Sequence, residues 1–133
     1  MNLTVRHFDP KRDYLDVSDW WESQNWPVIP EEALPKTGFI VEDGKLKIAA
    51  VWLYMDVIGM LEWLVGNPKA PMKVKAKGID LLVGVAMETA KLKGSKMVFA
   101  SLKANNRGLQ RIYIRNGFQL GDSGMTNLVA RTN

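Results

Sequence analysis

The feature that most constrains this chain is a strand, helix, strand succession across its middle. Ile58 to Val65 reads as an apolar strand, Val74 to Leu92 as a long helix, and Lys96 to Leu102 as a second strand. On the helix, Val74, Gly78, Leu81, Leu82, Val85, Ala86 and Thr89 recur at the spacing of one helical face, and Gly94 ends it. Two strands joined by one helix pair in parallel through a right-handed crossover. The chain before them reads differently. Gly38 to Glu42 and Lys45 to Asp56 flank Asp43-Gly44, a hairpin whose turn is expected to be type I′. Such a chain is expected to build a mostly antiparallel sheet that contains one parallel pair.

The ends complete the pattern. Leu3 to Phe8 alternates as a strand, and Tyr14 to Gln24 reads as a helix with Asp13 as its cap, broken by Trp26-Pro27 and Pro30. Pro27 to Lys36 is expected to form a short helix or loop over a pocket. Near the C-terminus, Leu109, Ile112, Tyr113 and Asn116 share a helical face, with Asn105 placed to cap the start. Gly117 suits the left-handed position after the helix, and Phe118 then packs back on Tyr113. Phe118 to Leu120 and Met125 to Ala130 are expected to form a terminal hairpin.

At 133 residues, 47% hydrophobic and 24% charged, the chain is expected to be one domain spanning 1–133. The absence of cysteine removes disulfides, thiolate metal sites and a cysteine nucleophile. The single histidine, His7, makes a histidine metal cluster or a Ser-His-Asp triad implausible and is assigned no role. No apolar secretion signal or membrane-length run is visible, so a cytoplasmic domain is expected. Charge is segregated. From Asp9 to Glu32 there are seven acids and two bases; from Lys69 to Arg115, eleven bases and two acids. One part suits cations and the other anions. No helix-turn-helix, zinc finger or RNA-binding aromatic sheet signature accompanies the basic part, which argues against a nucleic-acid-binding protein.

This order of elements, with a tyrosine four residues before Gly117-Phe118, resembles the GCN5-related N-acetyltransferase (GNAT) superfamily over nearly the whole chain. LYMD followed by EWLVGNP is similar to short members encoded by bacteriophages. The resemblance implies an α+β fold with helices on both faces of the sheet and a parallel pair that splays apart. It implies transfer of an acetyl group from acetyl-CoA, as cosubstrate and without a metal, to an amine attacking directly in a ternary complex. The acceptor is a small molecule or a protein amine, and a homodimer is left open.

Residue roles are assigned by the same resemblance. The family's pyrophosphate pattern, Gln/Arg-x-x-Gly-x-Gly/Ala, aligns with Lys75-Ala76-Lys77-Gly78-Ile79-Asp80, where Asp80 replaces a small residue and would weaken or rearrange binding. Lys73 adds charge at that mouth. Backbone near Leu64 and Val65 would pair with the pantetheine arm, and Asn106 and Arg111 would meet the coenzyme, with Arg107 and Arg111 either at its 3′-phosphate or simply facing water. Tyr113 would give a proton to the departing thiolate, or is a packing tyrosine. Glu62 would be the general base, or is a solvated strand glutamate. Trp20, Trp21 and Trp26 would line the acceptor wall, where acids and aromatic faces receive a cation, unless they are core. A GNAT-fold module that binds without catalysis is the alternative that Asp80 supports.

Overall fold

The computed structural model describes residues 1–130 and Thr132. Five strands form one sheet in chain order, β1 (Leu3–His7), β2 (Gly38–Asp43), β3 (Leu46–Tyr54), β4 (Ile58–Gly66) and β5 (Met97–Ala100). The first three pairings are antiparallel, and β4 pairs β5 in parallel across the crossover helix α2 (Met72–Leu92). Helix α1 (Pro10–Ser23), a 3-10 turn at Glu31–Ala33 and helix α3 (Arg107–Arg115) complete the chain. No helix among the described residues is long and apolar enough to cross a membrane.

Alternation along the central strands feeds two cores. Phe39, Val41, Ile48, Val51, Leu53 and Leu61 face α2 and α3, joined by Leu82, Val83, Ala86 and Tyr113. Ile40, Ala50, Trp52 and Val65 face α1, which contributes Val17, Trp20 and Trp21. Helices therefore cover both faces of the sheet. The buried row of α2 is Gly78, Leu82, Val83, Ala86 and Ala90, while Leu81, expected inside, is 43% exposed. Gly78 explains the rotation. A Cβ there would come within 3.1 Å of Val41 and Ile48 methyls, so its bare backbone lets the helix sit down on the sheet.

Several local expectations are corrected. In the β2–β3 hairpin Asp43 pairs with Leu46, so Gly44 and Lys45 form the turn. Of these only Gly44 has positive φ, at 61°, the type II′ pattern rather than I′. Helix α3 is capped by Asn106, not Asn105: the Asn106 side chain accepts from Leu109 N–H at 3.1 Å. Its other end is as expected. Gly117 has φ 98°, its amide donates to Ile114 O, and Phe118 N–H donates to Tyr113 O at 3.2 Å, a Schellman closure. The Phe118 ring packs on Tyr113 with centroids 5.1 Å apart. The terminal hairpin is not formed. Residues 118–130 carry no strand, and Leu120, Met125, Leu128 and Val129 are exposed, so β5 ends the sheet.

Asp13 does more than cap a helix. Helix α1 begins earlier than expected, with Pro10 at its first position and Asp9 as the cap accepting from Lys11 N–H. Asp13, one turn on and wholly buried, accepts from the Asp9 amide and from both terminal nitrogens of Arg6, each at 2.8 Å. Lys47 on β3 approaches it to 2.8 Å and Asp16 to 2.7 Å, while Arg6 also reaches Glu42. Burial alone would raise the Asp13 pKa. Hydrogen bonds from Arg6, Lys47 and the Asp9 amide outweigh it and hold the carboxyl well below the usual range. The cluster pins α1 to β1 and β3.

Asp13→Ala strands two half-buried cations, and denaturant unfolding should show a loss of about 3–5 kcal/mol. Because the folded pKa is depressed, the stabilisation from Asp13 is present above its unfolded value near ~4 and drains away as pH falls below it. Asp13→Asn should flatten that acid limb; an unchanged limb would place the acid sensitivity elsewhere.

Candidate functional site

The site begins where a ladder stops. β4 and β5 pair from Ile58 with Met97 to Leu61 with Ala100, and there β5 ends while β4 runs on to Gly66. From Glu62 onward the β5-facing edge of β4 has no strand partner. On its other side the register to β3 slips: Trp52 faces Glu62 but Ala50 faces Val65, so Trp63 and Leu64 together oppose Val51. This is a β-bulge. Trp63 carries its strain, with φ 63°, a conformation that costs a bulky residue about 1–3 kcal/mol. The surroundings hold it. Trp21 Nε1–H donates to Trp63 O at 3.3 Å, and Trp63 Nε1–H donates to Tyr54 Oη at 2.8 Å. Tyr54 in turn donates to Ala33 O at 3.0 Å.

Two polar groups lie near this break without partners. Glu62 Oε1 and Tyr113 Oη are both buried with no hydrogen bond. Burial raises the Glu62 pKa to about 7, against a smaller opposing pull from the amide and hydroxyl of Ser101 just beyond β5. The Tyr113 hydroxyl is pushed well above its ordinary value by burial and, second, by the charge of Glu62. Glu62 is thus no freely solvated strand residue. Tyr113, 3% exposed, is a core residue whose ring packs and whose hydroxyl is left unspent. Unpaired buried polar atoms cost about 1–3 kcal/mol each and are few in native structures; among the described residues Ser18 Oγ and Trp52 Nε1 are the others.

The anion-binding end lies one element away, at the N-terminus of α2. Lys75, Ala76, Lys77, Gly78, Ile79 and Asp80 sit inside α2, as the helix expected from Val74 implies, past its free N-terminal amides. Gly78 is a packing glycine. Asp80 accepts from Asn116 Nδ2 at 2.8 Å and lies 3.7 Å from Arg115, so it ties α2 to α3 and does not face the helix mouth. The first intrahelical bond from the mouth is Lys75 N–H to Pro71 O, which leaves the amides of Met72, Lys73 and Val74 free. Pro71 offers no side-chain cap, and the first turn has no acid. Lys73 is exposed there, and the stem of Lys75 lies against Gly66, where a Cβ would come within 2.7 Å of it. Asn67 sets this mouth in place. It donates through Nδ2 to Lys47 O and accepts from Lys69 N–H, at 2.7 and 2.9 Å. The free amides and the lysines fit phosphate oxygens.

The expected acceptor wall divides. Trp20 and Trp21, 6% and 1% exposed, are core of the α1 face, and Trp21 serves the bulge rather than a ligand. Trp26 is only half-buried, and Lys103 Nζ stands 5.7 Å from its ring centroid. The acidic segment is also partly spent, since Asp13 and Asp16 pair with Arg6 and Lys47. Glu22, Glu31 and Glu32 remain exposed. On α3, Arg111 is exposed, while the Asn106 side-chain oxygen is committed to its own helix. His7 stacks on Phe39 at the surface. Sequence reading missed Trp63, Tyr54, Ser101 and Asn67. Only Asn67, in Gly-Asn-Pro, carried a visible turn signal; a strand tryptophan gives no sign of a bulge.

No protein-family model and no curated protein matches the sequence. Solved structures do match in shape. The ribosomal-protein-S18-alanine N-acetyltransferase of Escherichia coli superposes with a TM-score of 0.67 at 13% identity, covering 90% of this chain and 79% of its own. Ard1 of Thermoplasma volcanium gives 0.72 at 12% identity, covering 92% and 86%. AAC(6')-Iy in complex with a CoA bisubstrate analogue gives 0.67 at 15% identity, covering 98% and 100%. What these share with the chain is the fold over most of its length. The chain has the GCN5-related N-acetyltransferase fold.

Proposed function

We propose that this chain is an N-acetyltransferase that moves an acetyl group from acetyl-CoA to an amine by direct attack. One observation carries the reading: the β4–β5 ladder stops beside a strained bulge, and a half-buried carboxylate with its Oε1 unspent and a buried, unpartnered phenol stand beside the break. Ser18 Oγ and Trp52 Nε1 are also unpaired, but Glu62 and Tyr113 are titratable groups close enough for the charge of one to raise the pKa of the other.

The free amides of Met72, Lys73 and Val74, with Lys73 and Lys75, would hold phosphates. The unpaired edge of β4 around Leu64 and Val65 would hold the pantetheine arm as a strand. An amide at the bulge would polarise the thioester carbonyl. Glu62, with a pKa near 7, would take the proton from the attacking nitrogen as its lone pair forms the new C–N bond and the C–S bond breaks. The departing sulfur is the stronger base and would receive that proton back from Glu62. The raised pKa of Tyr113 suits it to donate a hydrogen bond to this sulfur rather than to release its own proton. No cysteine is required, because no acyl-enzyme forms.

Acetyl-CoA should raise the melting temperature, since it binds only the folded gap, and an amine screen should release free thiol. No melting shift at millimolar acetyl-CoA would remove this reading. For the carboxylate, kcat/KM should rise with pH through about 7 as Glu62 ionises. Glu62→Gln should abolish that limb. A raised folded pKa means that stability is lost as pH rises past the unfolded value toward 7, so this variant should gain melting temperature at pH ~8 and little at ~4. Equal shifts at both would show Glu62 to be solvated. Tyr113→Phe keeps the ring and its packing on Phe118. Turnover should fall about 10- to 1000-fold while the melting temperature holds or rises, because the hydroxyl has no partner to lose. Full turnover in this variant would make Tyr113 a packing residue only.

A further inference from the structure

Lys103 and Trp26 come from different sides of the break, and their contact joins an exposed side chain to a half-buried ring. Trp26 follows α1 by one turn, its amide bonded to Trp21 O, and Trp21 holds the carbonyl of Trp63 at the bulge. Lys103 lies two residues past Ser101, which faces Glu62. Its ammonium over the Trp26 ring, at 5.7 Å, therefore links the chain leaving β5 to the α1 side of the bulge. The loop that carries Lys103 is held by its backbone alone. Lys103 O accepts from Asn106 N–H at 3.0 Å, and Ala104 O accepts from Gln110 Nε2 at 2.8 Å. The exposed side chain is free to swing away without disturbing it. Glu22, Glu31 and Glu32 are exposed in the same stretch as Trp26 and form no ion pair among the described residues, so the field there favours a cation.

We propose that Trp26 is the docking seat of the acceptor's alkylammonium group, that Lys103 occupies this seat in the free protein as an internal stand-in, and that the acceptor is an unbranched primary alkylamine. This rests on the acetyltransferase reading for its consequence, but the seat itself is a binding property. An arriving amine displaces the Lys103 ammonium from the ring, and one amine then remains at the mouth of the gap to lose its proton. Lys103 thus acts as a tethered competitor whose removal strengthens amine binding.

The test monitors the Trp26 indole N–H resonance, assigned with Trp26→Phe, during titration with n-butylamine and with n-butanol as the uncharged control. Lys103→Met keeps the length of the chain and removes its charge. It should bind n-butylamine about 2- to 5-fold more tightly than the wild type, the scale of one exposed cation on an aromatic face, with n-butanol giving no response in either. Unchanged or weaker amine binding in Lys103→Met overturns the proposal, as does an equal response to the alcohol. The acetyl-CoA melting shift and thiol release, measured on the same samples, report separately on the acetyltransferase reading. A tightened seat without acetyl-CoA binding leaves the seat standing and removes the enzyme; turnover with an indifferent Lys103→Met does the reverse.

Discussion

The structure turns on the point where β4 loses its partner. A parallel pair that stayed zipped to Gly66 would be a plain sheet edge with nothing between its strands. Instead β5 stops at Ala100, and β4 carries a bulge at Trp63 just beyond the last pair. An extra residue in one strand disrupts the ladder and re-aims the residues beyond it. The end of β5 leaves the outer edge of β4 unpaired from Glu62 onward. The strain at Trp63 persists because three groups over-determine it. The Trp21 indole, the Tyr54 hydroxyl and, through Tyr54, the Ala33 carbonyl come from α1, β3 and the 3-10 turn.

Those supports make the α1 side of the molecule a scaffold for the gap. The buried Asp13 cluster joins α1 to β1 and β3, and α1 then delivers Trp21 to the bulge. Charges that look in the sequence like a surface for cations are in part spent on this task. What remains for a ligand is smaller and better defined, a half-buried Trp26 with free acids near it in the chain. On the opposite face α2 and α3 do comparable work. Gly78 seats α2 on the sheet, Asp80 and Asn116 join the two helices, and the Schellman closure after Tyr113 fixes the tyrosine from behind.

The phosphate motif shows how far local pattern reaches. Lys75 to Asp80 has the right residue types in nearly the right order, and Asp80 reads as a defect in it. In the structure each of these residues has another reason to be where it is: Gly78 for packing, Asp80 for the α2–α3 tie, Lys75 for its stem against Gly66. The helix mouth lies at Met72, two residues before the start expected at Val74 and ahead of the whole motif, with Pro71 as its N-cap. Asp80 consequently offers no support for a module that has lost its coenzyme.

Sequence alone determined the order of elements as far as α3 and the parallel pair, because hydrophobic period and turn residues are local and repeat over many positions; helices on both faces were implied only by the family resemblance. It also determined the end of α3, where Gly117 and Phe118 act within one turn of Tyr113. It singled out Glu62 and Tyr113 by type and place. It did not determine that Glu62 Oε1 and Tyr113 Oη are buried and unpartnered, that Trp20 and Trp21 are core while Trp26 is not, or that Trp63 is the bulge. Nor did it determine that residues 118–130 leave the sheet unextended. Burial, pKa and backbone strain depend on groups brought together from distant segments: the Trp21 indole against Trp63, the Glu62 charge on Tyr113. No residue carries those neighbours in its own identity, so only the tertiary structure decided them.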